Sequence, residues 1–167
     1  MYARLASLPL FVLLMAIGSV AMIVPSIHAL AIGNHAVSRV FFYWMVLFLI
    51  LTTLIAIAAS GSKPKSQTRS HLSTLIAAYL VLPAMLAVPF FELTRSYGFL
   101  SAWFEMVSSF TTTGATLFDR PYVLPHSLHL WRGLVGWLGG LFIWVVAVAL
   151  LAPLNLGGFE VRAQARS

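Results

Sequence analysis

The sequence contains no cysteine and very few charged residues. The absence of cysteine from the 167 residues excludes a disulfide framework, a thiol nucleophile and a thiolate metal site. Charged residues make up only 8% of the chain, whereas a soluble domain carries about 25%, so this chain cannot cover a water-facing surface. The hydrophobic share of 60% and the mean hydropathy of +0.95 indicate a membrane protein instead.

Acidic residues are scarcer than basic ones. Four acids stand against ten Lys and Arg residues, which gives a formal net charge of +6. In a soluble protein this excess would suggest a nucleic-acid partner, but here the basic residues lie in the loops and at the chain ends. The positive-inside rule is the better interpretation, so we predict a lipid bilayer as partner and no nucleic acid. The four acids are scattered and no nucleophile stands beside a base, so we predict no enzyme activity and no cofactor.

Four long apolar segments predict transmembrane helices, at about 8–30, 40–59, 72–91 and 130–154. The first follows Arg4 and could also be a signal peptide, but it is long enough to span, so a retained helix is favoured. Pro25 is expected to kink or end it. Pro83 and Pro89 lie inside the third segment or at its outer end. The aromatic cluster 41–44 opens the second, either as an interfacial belt or as packing against another helix.

The only strongly hydrophilic loop is 60–71. It combines Gly, Pro and Ser, which favour a linker, with the basic residues Lys63, Lys65 and Arg69. The positive-inside rule places this loop in the cytoplasm. With two spans before it, the N-terminus is then cytoplasmic too, in a multi-pass protein of the inner or plasma membrane.

A short apolar segment, 99–110, runs into a Thr/Gly turn between the last two spans. It is too short to cross a bilayer and is predicted to be a re-entrant half-helix. Irregular backbone at membrane depth survives only where it is buried in protein or lines a water-filled cavity. The turn 111–114 is therefore a candidate cation filter of backbone carbonyls, and the negative C-terminal end of the half-helix would favour a cation there. The alternative is an ordinary Gly-containing turn.

Glu105 lies inside this half-helix, where a carboxylate is costly and needs a partner. We expect it to pair with Arg132 or to accept hydrogen bonds near the filter; the alternative is a snorkelling residue in the outer vestibule.

His126 and His129 have a spacing that can bind a metal, but no acid or thiol supports this, and an interfacial loop explains both. The group Gly136, Gly139 and Gly140 favours close helix packing over a bending point for gating.

Several short strings occur together in the second half of the chain. They are Val88-Pro89-Phe90, Phe104-Glu105, Phe110-Thr111-Thr112-Thr113-Gly114-Ala115-Thr116, Trp131-Arg132, Trp137-Leu138-Gly139-Gly140, Val146-Ala147-Val148-Ala149 and Leu156-Gly157-Gly158. In content, order and spacing they resemble the Trk/Ktr/HKT superfamily of potassium transporters, and most closely the bacterial Trk membrane subunit. The resemblance is strong from about residue 72 and rests on hydropathy alone before it.

The resemblance implies a fold and a domain organisation. The fold is an all-α membrane protein with four transmembrane helices plus one re-entrant pore helix and filter loop. Two leading helices would occupy 1–59, the basic cytoplasmic linker 60–71, the first outer helix–pore loop–inner helix repeat 72–158, and a cytoplasmic tail 159–167. Because the family repeats this unit four times around one pore, the chain is expected to be the N-terminal part of a longer transporter or a truncated gene product.

The resemblance also assigns residues to the ion path. Ion-binding filter residues would be Thr111, Thr112, Thr113, Gly114 and Ala115, with potassium, the transported substrate, at Thr112, Thr113 and Gly114. Supporting positions would be Glu105, Thr116 and Arg132. Gly114 implies potassium, since Ser at this position goes with sodium preference in some plant relatives.

Partners follow from the same resemblance. They are the remaining three pore repeats, a second copy in a homodimer, and a cytoplasmic nucleotide-binding regulatory subunit. The alternative function is a non-conducting membrane anchor or assembly module, since one repeat supplies a single wall of a pore.

The chain departs from the family's sequence pattern at Phe142, because the family usually has Met-Gly-Ile where this chain has Leu141-Phe142-Ile143. A large residue there predicts looser contact along that helix face.

Overall fold

The part of the chain that the structure describes is helical and contains no strand. The computed structural model describes residues 10–59, 67–120, 122 and 124–151, and the side chains among them except those of 67–77 and 149–151. The predicted positions Arg4, the segment 60–66 and the tail with Leu156-Gly157-Gly158 lie outside the described residues. The helices are α1 (Leu10–Ala21), α2 (Ile23–Ala31), α3 (His35–Ala59), α4 (Gln67–Leu93), a 3₁₀ turn (Arg95–Tyr97), α5 (Gly98–Phe110) and α6 (His126–Leu151).

Helices α1 and α2 form one interrupted span. They run together over Leu10–Ala31, and the break lies at Met22 rather than at Pro25, where the kink was expected. Pro25 has no amide hydrogen, and its ring displaces the carbonyl four residues earlier, at Ala21. The helix therefore stops at Ala21 and restarts with Pro25 in its first turn, a position that tolerates proline.

A tight turn joins α2 to α3 and starts α3 earlier than predicted. Gly33 adopts a positive φ of 77°, and the Asn34 side chain accepts a hydrogen bond from the amide of Val37 at 3.2 Å. This cap begins α3 at His35 instead of about residue 40. Arg39, which stands just before the predicted segment 40–59, is consequently inside the helix.

Helices α4 and α5 form a sharply bent pair. The axes of Ala78–Leu93 and Arg95–Phe110 differ by 114°, which is the geometry of a broken span or a re-entrant loop. Helix α4 continues through Pro83 and Pro89 and begins at Gln67, inside the segment predicted as linker. Within the described ranges, three helical stretches are long and apolar enough to span a bilayer, Leu10–Ala31, His35–Ala59 and His126–Val148, and the bent pair would make a fourth.

Aromatic side chains connect the leading helices to the last one. Phe41 is fully buried and meets Trp131 edge-on, with ring centroids 5.5 Å apart. Trp131 donates its indole hydrogen to the Leu86 carbonyl at 3.2 Å. Phe42 and Tyr43 are exposed. The packing interpretation of the cluster 41–44 is therefore confirmed for Phe41, and the interfacial belt stays a prediction for the exposed rings.

Helix α6 begins at His126, four residues before the predicted start. Pro125 precedes it, and the Leu128 amide donates to the Pro125 carbonyl at 2.8 Å. His126 and His129 thus lie in the first turns of α6 and not in a loop. Because α6 packs against α5, its first turns lie beside the loop that follows α5.

Candidate functional site

The loop after α5 begins with a strained helix end. The amides of Thr112 and Thr113 donate to the carbonyls of Ser109 and Ser108, both at 2.9 Å, which is the hydrogen-bond pattern of a Schellman cap. This pattern requires a residue of positive φ, and Thr112 supplies it with φ of 57°. Glycine normally occupies that position, because a left-handed conformation costs other residues about 1–2 kcal/mol. A β-branched residue there is an outlier of the kind found at functional sites.

Gly114 is the second position of positive φ in this loop. Its φ is 75°, and a Cβ added there would meet no atom within 4 Å. The requirement for glycine is therefore one of backbone conformation and not of space. Two residues of positive φ, Thr112 and Gly114, therefore flank Thr113 in this loop.

The carbonyls of this loop fall into two groups. Those of residues 111–114 accept no hydrogen bond within the described part of the chain, whereas the Ala115 carbonyl accepts one from the Ser108 hydroxyl at 2.7 Å. The side chains of residues 111–117 are exposed. The Thr111 hydroxyl is turned back to the helix, where it donates to the Val107 carbonyl at 2.8 Å. The carbonyl oxygens of residues 111–114 are therefore available to a ligand, whereas the Thr111 hydroxyl is engaged with the helix.

Glu105 is the centre of a hydrogen-bonded cluster below the loop. Its side chain is fully buried, which rules out the snorkelling interpretation. Its Oε1 accepts hydrogen bonds from the Thr116 hydroxyl at 2.8 Å and from the Leu117 amide at 2.6 Å. The Phe118 amide in turn donates to the Thr116 hydroxyl at 3.2 Å. One carboxylate oxygen therefore anchors the limb of the loop that leaves the turn.

The other oxygen of Glu105 faces α6. The Nη2 atom of Arg132 lies 2.9 Å from Oε2, and the Arg132 side chain is 17% exposed. Among the described residues, neither Oε2 nor the buried Nε of Arg132 has an aligned hydrogen bond, so the contact is an ion pair whose attraction does not depend on N–H direction. The three residues predicted to support the filter, Glu105, Thr116 and Arg132, are thus brought together by one carboxylate.

The glycines of α6 lie against the end of α5. A Cβ on Gly139 would be 1.8 Å from the Phe110 carbonyl oxygen, and one on Gly136 would be 3.3 Å from that of Ser109. Close packing, the favoured interpretation of these glycines, is present. The expectation that Phe142 loosens this face is wrong, because its ring is buried and stacks on that of Phe110 at a centroid distance of 5.7 Å. The larger side chain fills space beside the glycine contact.

An open cavity of about 380 Å³ lies between the loop and the first half of α6. Its wall contains Thr112 and Gly114 from the loop and His129 and Arg132 from the helix. Among the described residues, no group of three or more His, Cys, Asp or Glu side chains could hold a metal ion.

Sequence reasoning did not single out Ser108. Its hydroxyl holds the Ala115 carbonyl, and its own carbonyl accepts the amides of Thr113 and Gly114. The sequence feature that indicates Ser108 is its position in the last helical turn before the Thr/Gly turn, because the last carbonyls of a helix need hydrogen-bond donors. A second such residue is His28, near the end of the first predicted span, whose Nδ1 lies 2.9 Å from the Ser127 hydroxyl.

Comparison with known proteins identifies similar chains. The family model TrkH, described as a cation transport protein, matches residues 37–165. The Trk system potassium uptake protein TrkH of Escherichia coli strain K12 is 31% identical over 150 residues, which cover 89% of this chain and 31% of that protein. The Trk system potassium uptake protein TrkG of the same strain is 30% identical over 144 residues, which cover 86% of this chain and 30% of that protein.

A third relative, the Trk system potassium uptake protein TrkI of Halomonas elongata, is 40% identical over 86 residues, covering 52% of this chain and 16% of that protein. This chain spans about a third of the length of the Escherichia coli relatives. No solved structure matches it significantly.

Proposed function

Since the chain belongs to the TrkH family of cation transport proteins, we propose that it forms one wall of a potassium-conducting pore. In this proposal α4 is the outer helix, α5 the pore helix, residues 111–114 the filter and α6 the inner helix of the unit 72–158. Potassium is held at Thr112, Thr113 and Gly114. The two leading helices flank this unit, and the N-terminus lies in the cytoplasm of a cell whose inner or plasma membrane holds the protein.

The observation that carries the proposal is the set of four consecutive carbonyls, at residues 111–114, that accept no hydrogen bond from the described residues. Leaving peptide groups unpaired at membrane depth is costly unless another partner replaces the missing donors. A cation entering the filter would do so, because carbonyl oxygens can replace its hydration shell. Ala115 contributes less in this scheme, since its carbonyl already accepts the Ser108 hydroxyl.

The direction of α5 supports a positive rather than a negative ligand. The helix has 13 residues and ends at Phe110, immediately before the loop. Its C-terminal end carries the equivalent of about half a negative charge. The strain at Thr112 supports the same interpretation, since a left-handed threonine is retained only where the surroundings or a ligand compensate for it.

A complete ion path needs further walls. Residues 111–117 are exposed, so one loop covers a cation on one side only. Helix α6 also exposes two large indoles, Trp137 at 64% and Trp144 at 72%. We assign these surfaces to the other three pore repeats. A homodimer and a cytoplasmic nucleotide-binding regulatory subunit complete the proposed assembly.

The test is cation uptake by transport-deficient cells that express the protein from its native gene. Gly114→Ser should lower potassium uptake or shift it toward sodium, because serine adopts a φ near 75° only with strain and so displaces the carbonyls. Gly33→Ser is the matched control, since Gly33 has a φ of 77°, equally open surroundings and a place outside the loop. Unchanged selectivity and rate for Gly114→Ser, in protein that reaches the membrane, would contradict the filter assignment.

A further inference from the structure

The buried ion pair between Glu105 and Arg132 stands at the wall of the cavity that contains the loop. We propose that Glu105 is a charge-compensating and positioning residue of the cation path. It neutralises Arg132 beside the filter and holds in place the exit limb of the loop, which contains Thr116 and Leu117. The inference rests on the proposed function, because it concerns the residues that surround the same filter.

The two oxygens of Glu105 have separate partners. Oε1 accepts from the Thr116 hydroxyl and the Leu117 amide, both on the exit limb. Oε2 is 2.9 Å from Nη2 of Arg132 on α6. A single carboxylate therefore joins α5, the loop and α6. Because the side chain is fully buried, this connection is shielded from water and from salt.

The charge of Arg132 explains why compensation matters. Its guanidinium contributes to the cavity wall that also contains Thr112 and Gly114. A positive charge at such a position repels a cation, and because the Arg132 side chain is only 17% exposed, water screens it less than it screens a surface charge. Glu105 is the acid that contacts Arg132 in the described part of the chain; Glu92 is engaged instead by Trp44 and Arg95. The pair leaves this wall close to neutral, and the carbonyls then decide which ion is preferred.

A substitution can separate the charge from the hydrogen bonds. Glu105→Gln keeps an Oε1 that accepts from Thr116 and Leu117, but it removes the charge opposite Arg132. The Arg132 charge then acts on the filter without compensation. Replacing Arg132 by Gln in the same chain removes that charge too, and the two amides can hydrogen-bond to each other.

The experiment measures rubidium uptake, with rubidium as the potassium probe, by cells expressing the protein from its native gene. Glu105→Gln should raise KM for rubidium about tenfold or more through charge repulsion. Arg132→Gln should lower KM, because it leaves the Glu105 carboxylate without its counter-charge beside the filter, and that negative charge attracts the cation. The double variant should return KM to within about twofold of the unmodified protein, because coupled neighbours are non-additive. Arg132→Lys, which keeps the pair charged, should also retain a KM close to normal.

Controls distinguish this inference from a purely structural role. Glu92→Gln breaks the exposed pair with Arg95, whose atoms are 3.8 Å apart, and should leave KM unchanged. Membrane abundance is measured for every variant. A KM for Glu105→Gln equal to that of the unmodified protein, or a double variant no better than Glu105→Gln at equal abundance, would overturn the inference. If Glu105→Gln does not accumulate, Arg132→Gln and Arg132→Lys still test it, since equal impairment of both would also overturn it.

Gly114→Ser is measured in parallel and separates the two proposals. Loss of selectivity in Gly114→Ser with no effect of the Glu105 and Arg132 variants overturns the charge compensation and leaves the filter assignment standing. No effect of Gly114→Ser, with KM shifts in the Glu105 variants, places the ion path beside Arg132 but not in the loop.

Discussion

The α-carbon of Gly139 lies directly against the carbonyl of Phe110, the last residue of α5. A Cβ at position 139 would be 1.8 Å from that oxygen and 2.6 Å from the carbonyl carbon. Because both contacting atoms belong to the backbone, no side-chain movement can relieve the clash. The approach of α6 to the base of the loop is therefore set by the absence of a side chain at one residue.

Gly139→Ala should push α6 away from α5. We expect a loss of stability of about 1–3 kcal/mol, the usual cost of overpacking, together with reduced uptake. Thermal unfolding of the detergent-purified protein measures the effect. Gly133→Ala on the same helix is the control, since a Cβ there meets no atom within 4 Å. Equal melting temperatures for the two variants would contradict the close approach.

Thr112→Gly should relieve backbone strain. A left-handed threonine costs about 1–2 kcal/mol, whereas glycine adopts this φ freely. The gain offsets the flexibility that glycine adds to the unfolded chain, so we expect stability that is unchanged or slightly higher. Thr113→Gly is the control, because Thr113 does not have a positive φ; it should destabilise the protein. A Thr112→Gly variant that melts as early as Thr113→Gly would argue against strain at Thr112.

Ser108→Ala removes the hydroxyl that holds the Ala115 carbonyl. The lost hydrogen bond should cost about 1 kcal/mol, and the freed carbonyl should weaken discrimination between potassium and sodium. Competition of sodium with rubidium uptake measures the second effect. Ser101→Ala, on the same helix, should change neither quantity. Normal discrimination in Ser108→Ala would show that the Ala115 carbonyl is fixed by other means.

Trp131→Phe should destabilise the packing of α6 on the other helices. Trp131 is fully buried and donates to the Leu86 carbonyl, so phenylalanine leaves that carbonyl without its donor and a gap beside Phe41. We expect a loss of about 1–3 kcal/mol in the free energy of unfolding. Trp137→Phe, at an exposed position of the same helix, should lower the free energy of unfolding by less. A larger effect at Trp137 in the isolated protein would contradict the burial of Trp131 as the anchor of α6.

Much of the fold could be predicted because it depends on local pattern. Hydropathy placed the spans, and the short segment before the Thr/Gly turn was predicted as a half-helix that starts within one residue of Gly98. Helix ends were less accurate, because they depend on caps: Asn34 begins α3 and Pro125 precedes α6. The break at Met22 was displaced from Pro25 for a related reason, since proline disrupts the turn before it.

The sequence by itself determined that the protein is apolar enough for a membrane, that a Thr/Gly turn separates the half-helix from the last span, and that Glu105 needs a partner. These properties follow from composition, hydrophobic length and the cost of a lone charge. Only the tertiary structure decided which oxygen of Glu105 contacts Arg132, that Thr112 is left-handed, and that Phe142 packs on Phe110 without displacing Gly139. The contacts of Glu105 and Phe142 join α5 to α6, which are separated by a loop and pack only in the folded chain, so local sequence pattern carries no signature of them.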